Sequence, residues 1–416
     1  MRSLVFLSAA AATVMAAGYK LPESSINATA LSAAYVANAH GADAAYYNPA
    51  AMVYNDDAGL LEVDATYIGL SKIHYNGNYT SRNPVTGVST TSGPYSIDSK
   101  SESFLVPTLH YTSKKLGASG ARAGLSIVAP AGLSKRWDAQ PAKSSAEEFT
   151  LQTIEVNPTL AVPLSDTLSI GAGFRIVRTS GVVKSNTGAT QVSRDLTGDA
   201  MDYGYNLALN YRPIHNLSLA ATYRSKIDLN VEGDATLNYL PSAHPSHAAY
   251  SGAASVTVPL PAALNLAAAY TFDTGTTVEA VFERTYWSAY NNLDFDYDGT
   301  LNAATVAFGT PIPKNWTNTN TYRLGLTQKL DKLTAMAGIA YDKTPVPEAN
   351  LGYELPDSDA WIYSLGARYQ IDKQWNVGLA GLVDVKKDRT VHNSSINGDF
   401  SNSRAYLVTA GIEYRF

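Results

Sequence analysis

Residues 404–416 read RAYLVTAGIEYRF and alternate with a period of two. One face carries Tyr406, Val408, Ala410, Ile412, Tyr414 and Phe416. The other carries Ala405, Leu407, Thr409, Gly411, Glu413 and Arg415. A soluble strand is usually nearer half that length. Alternation sustained over so many residues, with rings at both ends of the apolar face, fits a strand that crosses a bilayer between two aromatic girdles. The pattern recurs from Trp361 to Ile371, Trp375 to Val385, Leu168 to Ile176, Tyr205 to Tyr211 and Leu264 to Phe272.

Connections divide into two kinds. Residues 163–167, 212–216, 273–276, 329–332 and 371–374 are short and turn-like, whereas 74–100, 131–148, 184–198, 233–253, 291–316, 343–358 and 386–400 are long and polar. Short turns on one rim and long loops on the other are expected of an outer-membrane barrel. Strand segments at 59–73, 102–113, 120–130, 149–163, 167–184, 199–213, 216–232, 254–271, 276–292, 315–330, 332–344, 359–371, 374–388 and 401–416 number about fourteen. An even count permits closure. The predicted fold is therefore all-β, a transmembrane antiparallel β-barrel. Arg284 shares the face of Val278, Ala280 and Phe282; a position near the loop rim would let it snorkel.

Composition agrees. Charged residues are 16% of the 416, against about 25% in soluble proteins. Tyrosine outnumbers phenylalanine 27 to 10, and cysteine is absent, so no thiolate metal site exists. A net charge of −5 points to no nucleic-acid partner. The start, MRSLVFLSAAAATVMAAGYK, has a positive Arg2, a short apolar core and small residues at a cleavage site. The expected cut follows Ala16, giving a signal peptide at 1–16 and export to the outer membrane of a Gram-negative bacterium. No later apolar run reaches the roughly eighteen residues of a membrane helix.

Between the signal and the first strand, residues 17–58 are alanine-rich and nearly uncharged as far as Met52. Ala28, Ala30, Ser32, Ala33, Ala34 and Ala37 would let backbone approach an inner wall closely. Asn48-Pro49 ends any helix there, because Pro49 lacks an N–H and disfavours αR at Asn48. On composition the segment either fills the bore as a small lumen plug or trails as a disordered periplasmic leader, with 59–416 forming the wall; the plug is the reading that the resemblance below favours. In RAGLSIVAPAGL, Pro130 and Gly132 fall near a strand end, where ladder pairing should fail.

The colinear set Ala17-Gly18-Tyr19, Ala34-Tyr35, Asp43-Ala44, Tyr47-Asn48-Pro49-Ala50, Val106-Pro107, Pro130-Ala131-Gly132-Leu133, Val156-Asn157-Pro158, Thr222-Tyr223-Arg224-Ser225, Tyr322-Arg323-Leu324-Gly325 and Asp342-Lys343-Thr344-Pro345-Val346-Pro347 spans nearly the whole mature chain. In that order it resembles the FadL/TodX family of outer-membrane transporters for long-chain fatty acids and hydrocarbons. The resemblance implies a fourteen-stranded monomer whose N-terminal residues form a hatch, with Tyr47, Asn48, Pro49 and Ala50 at its gating end. It implies a lateral exit at a kinked third strand, here Pro130 and Gly132, and basic partners for a ligand carboxylate, for which Arg175, Arg178 and Arg323 are the candidates. Leu355-Pro356-Asp357-Ser358-Asp359-Ala360 lacks the basic residue expected after such a run.

An apolar ligand needs a landing site among the loops. Leu133, Trp137, Tyr239, Leu240 and Tyr250 are the candidates. The expected partners are a hydrophobic small molecule, outer-membrane lipid and lipopolysaccharide, with no nucleic acid. No cofactor, metal site or catalysis is expected. Asp294-Phe-Asp296-Tyr-Asp298-Gly299 resembles a calcium loop, but its twelfth position is Thr305 rather than glutamate. His244-Pro-Ser-His247 has no third ligand, and His110 and the serines have no identifying triad spacing. The alternatives are a general diffusion porin and an adhesin or phage-receptor barrel. A porin would favour charged lumen rings over an apolar N-terminal plug.

Overall fold

The computed structural model describes residues 18–82, 88–188, 192–240, 248–299 and 302–416. The signal-peptide cut and the two loop histidines, His244 and His247, lie outside these residues. Fourteen antiparallel strands close into a barrel. In chain order they are β1 (Leu60–Leu70), β2 (Glu102–Thr112), β3 (Arg122–Val128, resuming as Gly132–Arg136), β4 (Glu148–Pro163) and β5 (Leu168–Asn186). Next come β6 (Ser193–Ile214), β7 (Leu217–Arg224, resuming as Ile227–Tyr239), β8 (Ala248–Leu260, resuming as Ala263–Thr271) and β9 (Thr276–Thr285). The wall is completed by β10 (Thr319–Leu330), β11 (Leu333–Asp342), β12 (Ala360–Gln370), β13 (Trp375–Lys386) and β14 (Arg404–Arg415). Closure is made by β1, which pairs along its whole length with β2 on one side and β14 on the other. No sheet edge is left at that seam.

The period-two pattern sets which way each side chain points. On β14, Tyr406, Val408, Ile412 and Phe416 are exposed at 41–48%, while Ala405, Leu407 and Thr409 are at most 4% exposed. Such an outer face would be a liability in water and is at home in hydrocarbon. Rings gather near the short-turn rim, where Trp375 and Tyr414 lie 4.4 Å apart and Tyr111 stacks on Phe416. A second belt higher up contains Tyr341–Trp361, Phe282–Tyr322 and Phe174–Tyr203.

Several expected boundaries move. The long stretch 233–253 is mostly ladder, since β7 and β8 stay paired up to Tyr239 and Ala248. Alternation past residue 285 suggested a strand to 292, but β9 stops at Thr285 because Trp287 and Tyr290 turn inward and are buried. The loops also hold structure of their own. Hairpin His74–Arg82/Ser89–Asp98 joins Arg389–His392 and Ile396–Ser401 in a separate four-stranded sheet on the long-loop side.

Candidate ligand pocket and wall opening

Residues from Gly18 to Ala58 pack against inward faces of the wall. A short helix, Ile26–Ala30, starts at Ser25, whose side chain accepts from the Ala28 N–H. A second, Ala44–Tyr47, ends at Asn48, and Pro49 opens a 3-10 turn to Tyr54. The small residues of both partners allow contact at backbone distance. A Cβ on Gly171 of β5 would lie 2.6 Å from the Ala50 nitrogen, and one on Gly338 of β11 would lie 2.2 Å from the Leu31 carbonyl carbon. An apolar cluster joins Leu31, Tyr35, Val36 and Met52 to Ala161, Val281 and Met336 of the wall, and polar ties add to it.

Those ties use buried charge. Glu279 accepts from three successive backbone N–H groups, Val36 at 2.7 Å, Ala37 at 2.6 Å and Asn38 at 3.2 Å. Arg323 donates to the Ser32 carbonyl at 2.8 Å. Arg368 donates to Asn27 and to Glu62, both at 2.6 Å. Lys20 pairs with Glu283 at 2.7 Å. Asn48 donates to the Val36 carbonyl and to Asn210 of β6, and Ser169 donates to the Ala50 carbonyl. Buried charges are tolerable only when matched in this way.

The wall itself is incomplete beside this segment. β2 and β3 pair only from Leu109/Ile127 to Thr112/Gly124. Above that rung β3 breaks at Pro130 and follows β4 alone. The strands meet again higher up, where Ser134 and Arg136 both donate to Glu102 at 2.6 Å. Between these limits, backbone groups freed by the break are taken by the N-terminal segment: Leu21 donates to the Pro130 carbonyl at 3.0 Å, and Gly132 donates to the Tyr19 carbonyl at 2.9 Å. Leu21 lies in the opening, in one apolar cluster with Ile68, Val106, Ala129 and Leu407. His110 sits at the lower edge. Its Nε2 contacts the Ser24 carbonyl at 2.9 Å and its Nδ1 the Ser126 hydroxyl at 3.0 Å. The carbonyl can only accept, so the ring proton is on Nε2.

On the long-loop side of this junction is an apolar pocket of about 860 Å³, its open mouth included. Leu133, Leu151, Val183, Leu196, Val256 and Phe295 contribute to its walls, with Tyr19 and Trp316 among the rings. Tyr19 packs edge-on against Trp287 with ring centres 4.8 Å apart, and its hydroxyl donates to the Pro259 carbonyl. An adjoining groove of about 1240 Å³ shares Lys314 and Glu354 with the pocket. These two form an ion pair at the boundary. Burial alone would push the Glu354 carboxyl up, but the Lys314 ammonium beside it holds it below the ordinary range. The volume and apolar lining suit a small hydrophobic ligand.

The candidate residues separate accordingly. Leu133 lines the pocket. Trp137 is fully buried in loop packing, its indole donating to the Tyr353 carbonyl at 2.9 Å, and does not line the pocket. Tyr239 ends β7 and Leu240 follows it, neither lining the pocket, and Tyr250 belongs to β8. Arg175 points inward but is held by Glu155 at 2.9 Å and the Ser225 carbonyl at 2.7 Å. Arg323 is committed to Ser32. Arg178 is a correction: it is exposed on the outer face, because it shares the parity of Phe174 and Ile176. Sequence reading passed over Glu279 and Glu283, although both fall opposite the apolar face of β9. It also passed over Lys314 and Glu354, which lie in two separate loops, 291–316 and 343–358, without a periodic signal.

The apolar outer wall and the paired girdles define an outer-membrane β-barrel, with the chain's own N-terminal segment packed against its inward faces. No helix among the described residues is long and apolar enough to cross a membrane; the strands do so. The chain belongs to the family described as outer membrane protein transport protein (OMPP1/FadL/TodX), which matches residues 7–416. It is 24% identical over 376 residues to the long-chain fatty acid transport protein of Escherichia coli K12, covering 80% of this chain and 82% of that one. Its fold is similar to that of a Pseudomonas aeruginosa FadL homologue, with a TM-score of 0.83 at 21% identity over 96% of this chain and 99% of the other. The Pseudomonas putida toluene transporter TodX aligns with a TM-score of 0.66 at 18% identity, covering 94% of this chain and 99% of its own.

Proposed function

We propose that this barrel, acting as a monomer, carries hydrophobic small molecules, long-chain fatty acids or hydrocarbons, from the cell surface into the outer membrane. The ligand enters the groove, settles in the apolar pocket and leaves sideways between β2 and β3 when the N-terminal hatch lets go. Relatives named as a fatty-acid transporter and a toluene transporter support the substrate class. Binding draws on the hydrophobic effect. A twelve-carbon tail could gain roughly 10 kcal/mol at about 0.8 kcal/mol per methylene, before association costs.

The observation that carries this reading is the pairing of Tyr19 and Leu21 with Gly132 and Pro130. One short stretch of hatch closes the wall opening and also touches the pocket, through Tyr19. Ligand that displaces Tyr19 therefore loosens Leu21. A diffusion porin would need an open bore, which residues 18–58 occupy.

Lys20 and Ala131 form an isolated antiparallel bridge flanked by those two hydrogen bonds. They are a non-hydrogen-bonded pair, whose Cα atoms approach to about 4.5 Å, within disulfide range. The chain has no cysteine of its own. Lys20→Cys/Ala131→Cys should therefore lose uptake of palmitate when oxidised and regain it on reduction. Equal uptake in both states would refute hatch release.

A further inference from the structure

The opening has a charged upper corner. Lys135, on the upper segment of β3, is wholly buried, and its Nζ makes no hydrogen bond. The neighbouring Ser134 and Arg136 take up Glu102. Other inward cations are already spent: Arg175 on Glu155, Arg368 on Glu62 and Lys386 on Asp357. The Lys135 side chain lines a small cavity of about 230 Å³, together with Leu70, Ile73, Ala405 and Asp384. Leu70 and Ala405 belong to the same apolar cluster as Leu21. An apolar surface thus runs from the hatch residue that stops the opening to an ammonium that has Glu102 nearby but no hydrogen-bond partner of its own.

A buried ammonium left alone is unfavourable, and an arriving anion with hydrogen-bonding oxygens relieves it. We infer that Lys135 and this surface form an exit subsite for the carboxylate of a long-chain acid. The tail occupies the space Leu21 vacates, and the headgroup docks on Lys135. Both oxygens of Asp384 are also buried without a hydrogen-bond partner at the same cavity. Asp384 then repels the ligand carboxylate from across the same cavity, so the acid is held briefly rather than trapped. This rests on lateral exit of the ligand, as proposed above. It adds that the route distinguishes acids from neutral hydrocarbons.

The test uses the full-length protein with palmitate and methyl palmitate, which share a chain and differ in charge. Lys135→Met keeps the stem and removes the ammonium. Palmitate binding should weaken about ten- to a hundredfold, as for a lost charged hydrogen bond, and its uptake should fall in step, while methyl palmitate is unchanged. Asp384→Asn should tighten palmitate and leave the ester alone. Lys135→Arg should retain the acid preference. Equal losses for acid and ester, or no change for palmitate in both assays, would overturn the assignment. The acid-to-ester ratio is read separately from hatch movement, so failure of the Lys20–Ala131 cross-link to block uptake would reject lateral release without imitating either result.

Discussion

Glu279 gathers three hatch amides on a single carboxylate. Replacing it with alanine leaves three buried donors without their acceptor. The loss expected is about 2 kcal/mol of local stability. Hydrogen exchange at Val36, Ala37 and Asn38 should accelerate roughly thirtyfold, with the barrel strands unaffected. A different failure is expected at Gly171. Valine there must push into the Pro49–Ala50 backbone, and overpacking of that kind costs about 1–3 kcal/mol. The thermal midpoint in detergent should fall, and Ala172→Val, on the outer face one residue away, should leave it nearly unchanged. How far such residues were legible follows from parity. Alternation along VEAVFERT puts Glu279 and Glu283 inside, but their partners lie 241 and 263 positions away in sequence. Nothing local announces such a contact.

At the level of strands and loops, the strongest signals were those with a single physical cause. Pro130 has no N–H to donate, so the break in β3 was readable; that Tyr19 and Leu21 would satisfy the groups it frees was not. The end of β9 was misjudged because Trp287 and Tyr290 continue an aromatic alternation while serving the pocket instead of the membrane. Loop chemistry was the least visible, and Lys314–Glu354 illustrates it. A glutamate whose folded value is depressed contributes stability that is complete above its unfolded value, about 4.3, and lost as pH falls through the lower folded one. The pocket mouth should therefore be insensitive to pH from about 7 down to 5 and loosen only below about 4. Fluorescence of Trp316, which lines the same pocket, can follow this in a variant lacking the other tryptophans. Glu354→Gln should abolish that acid transition, and a transition that persists would remove the pair from the account.

Taken as a whole, the molecule inverts the usual arrangement, with apolar residues outside and ionised ones within. The N-terminal segment packs against the inward faces and supplies partners for these charges, and on the proposed reading this is what keeps the polar bore from being a pore. That dependence can be exposed by deleting residues 20–48. Strand pairing from β1 to β14 involves none of them, so the barrel should still assemble and keep its heat-modifiable mobility on gels. Its wall strands would then present Glu62, Asp64, Glu102, Glu155, Glu279, Glu283, Asp342 and Asp384, all buried in the intact protein, against Arg122, Lys135, Arg175, Arg194, Arg323, Arg368 and Lys386. Water would enter to solvate these groups, since low dielectric no longer surrounds them. With carboxylates in excess among these inward-facing residues, the channel should conduct steadily and prefer cations. The intact protein should show no such conductance in a planar bilayer. An intact protein that conducts as well as the deletion, or a deletion that selects anions, would mean that the hatch does not govern what passes through the bore.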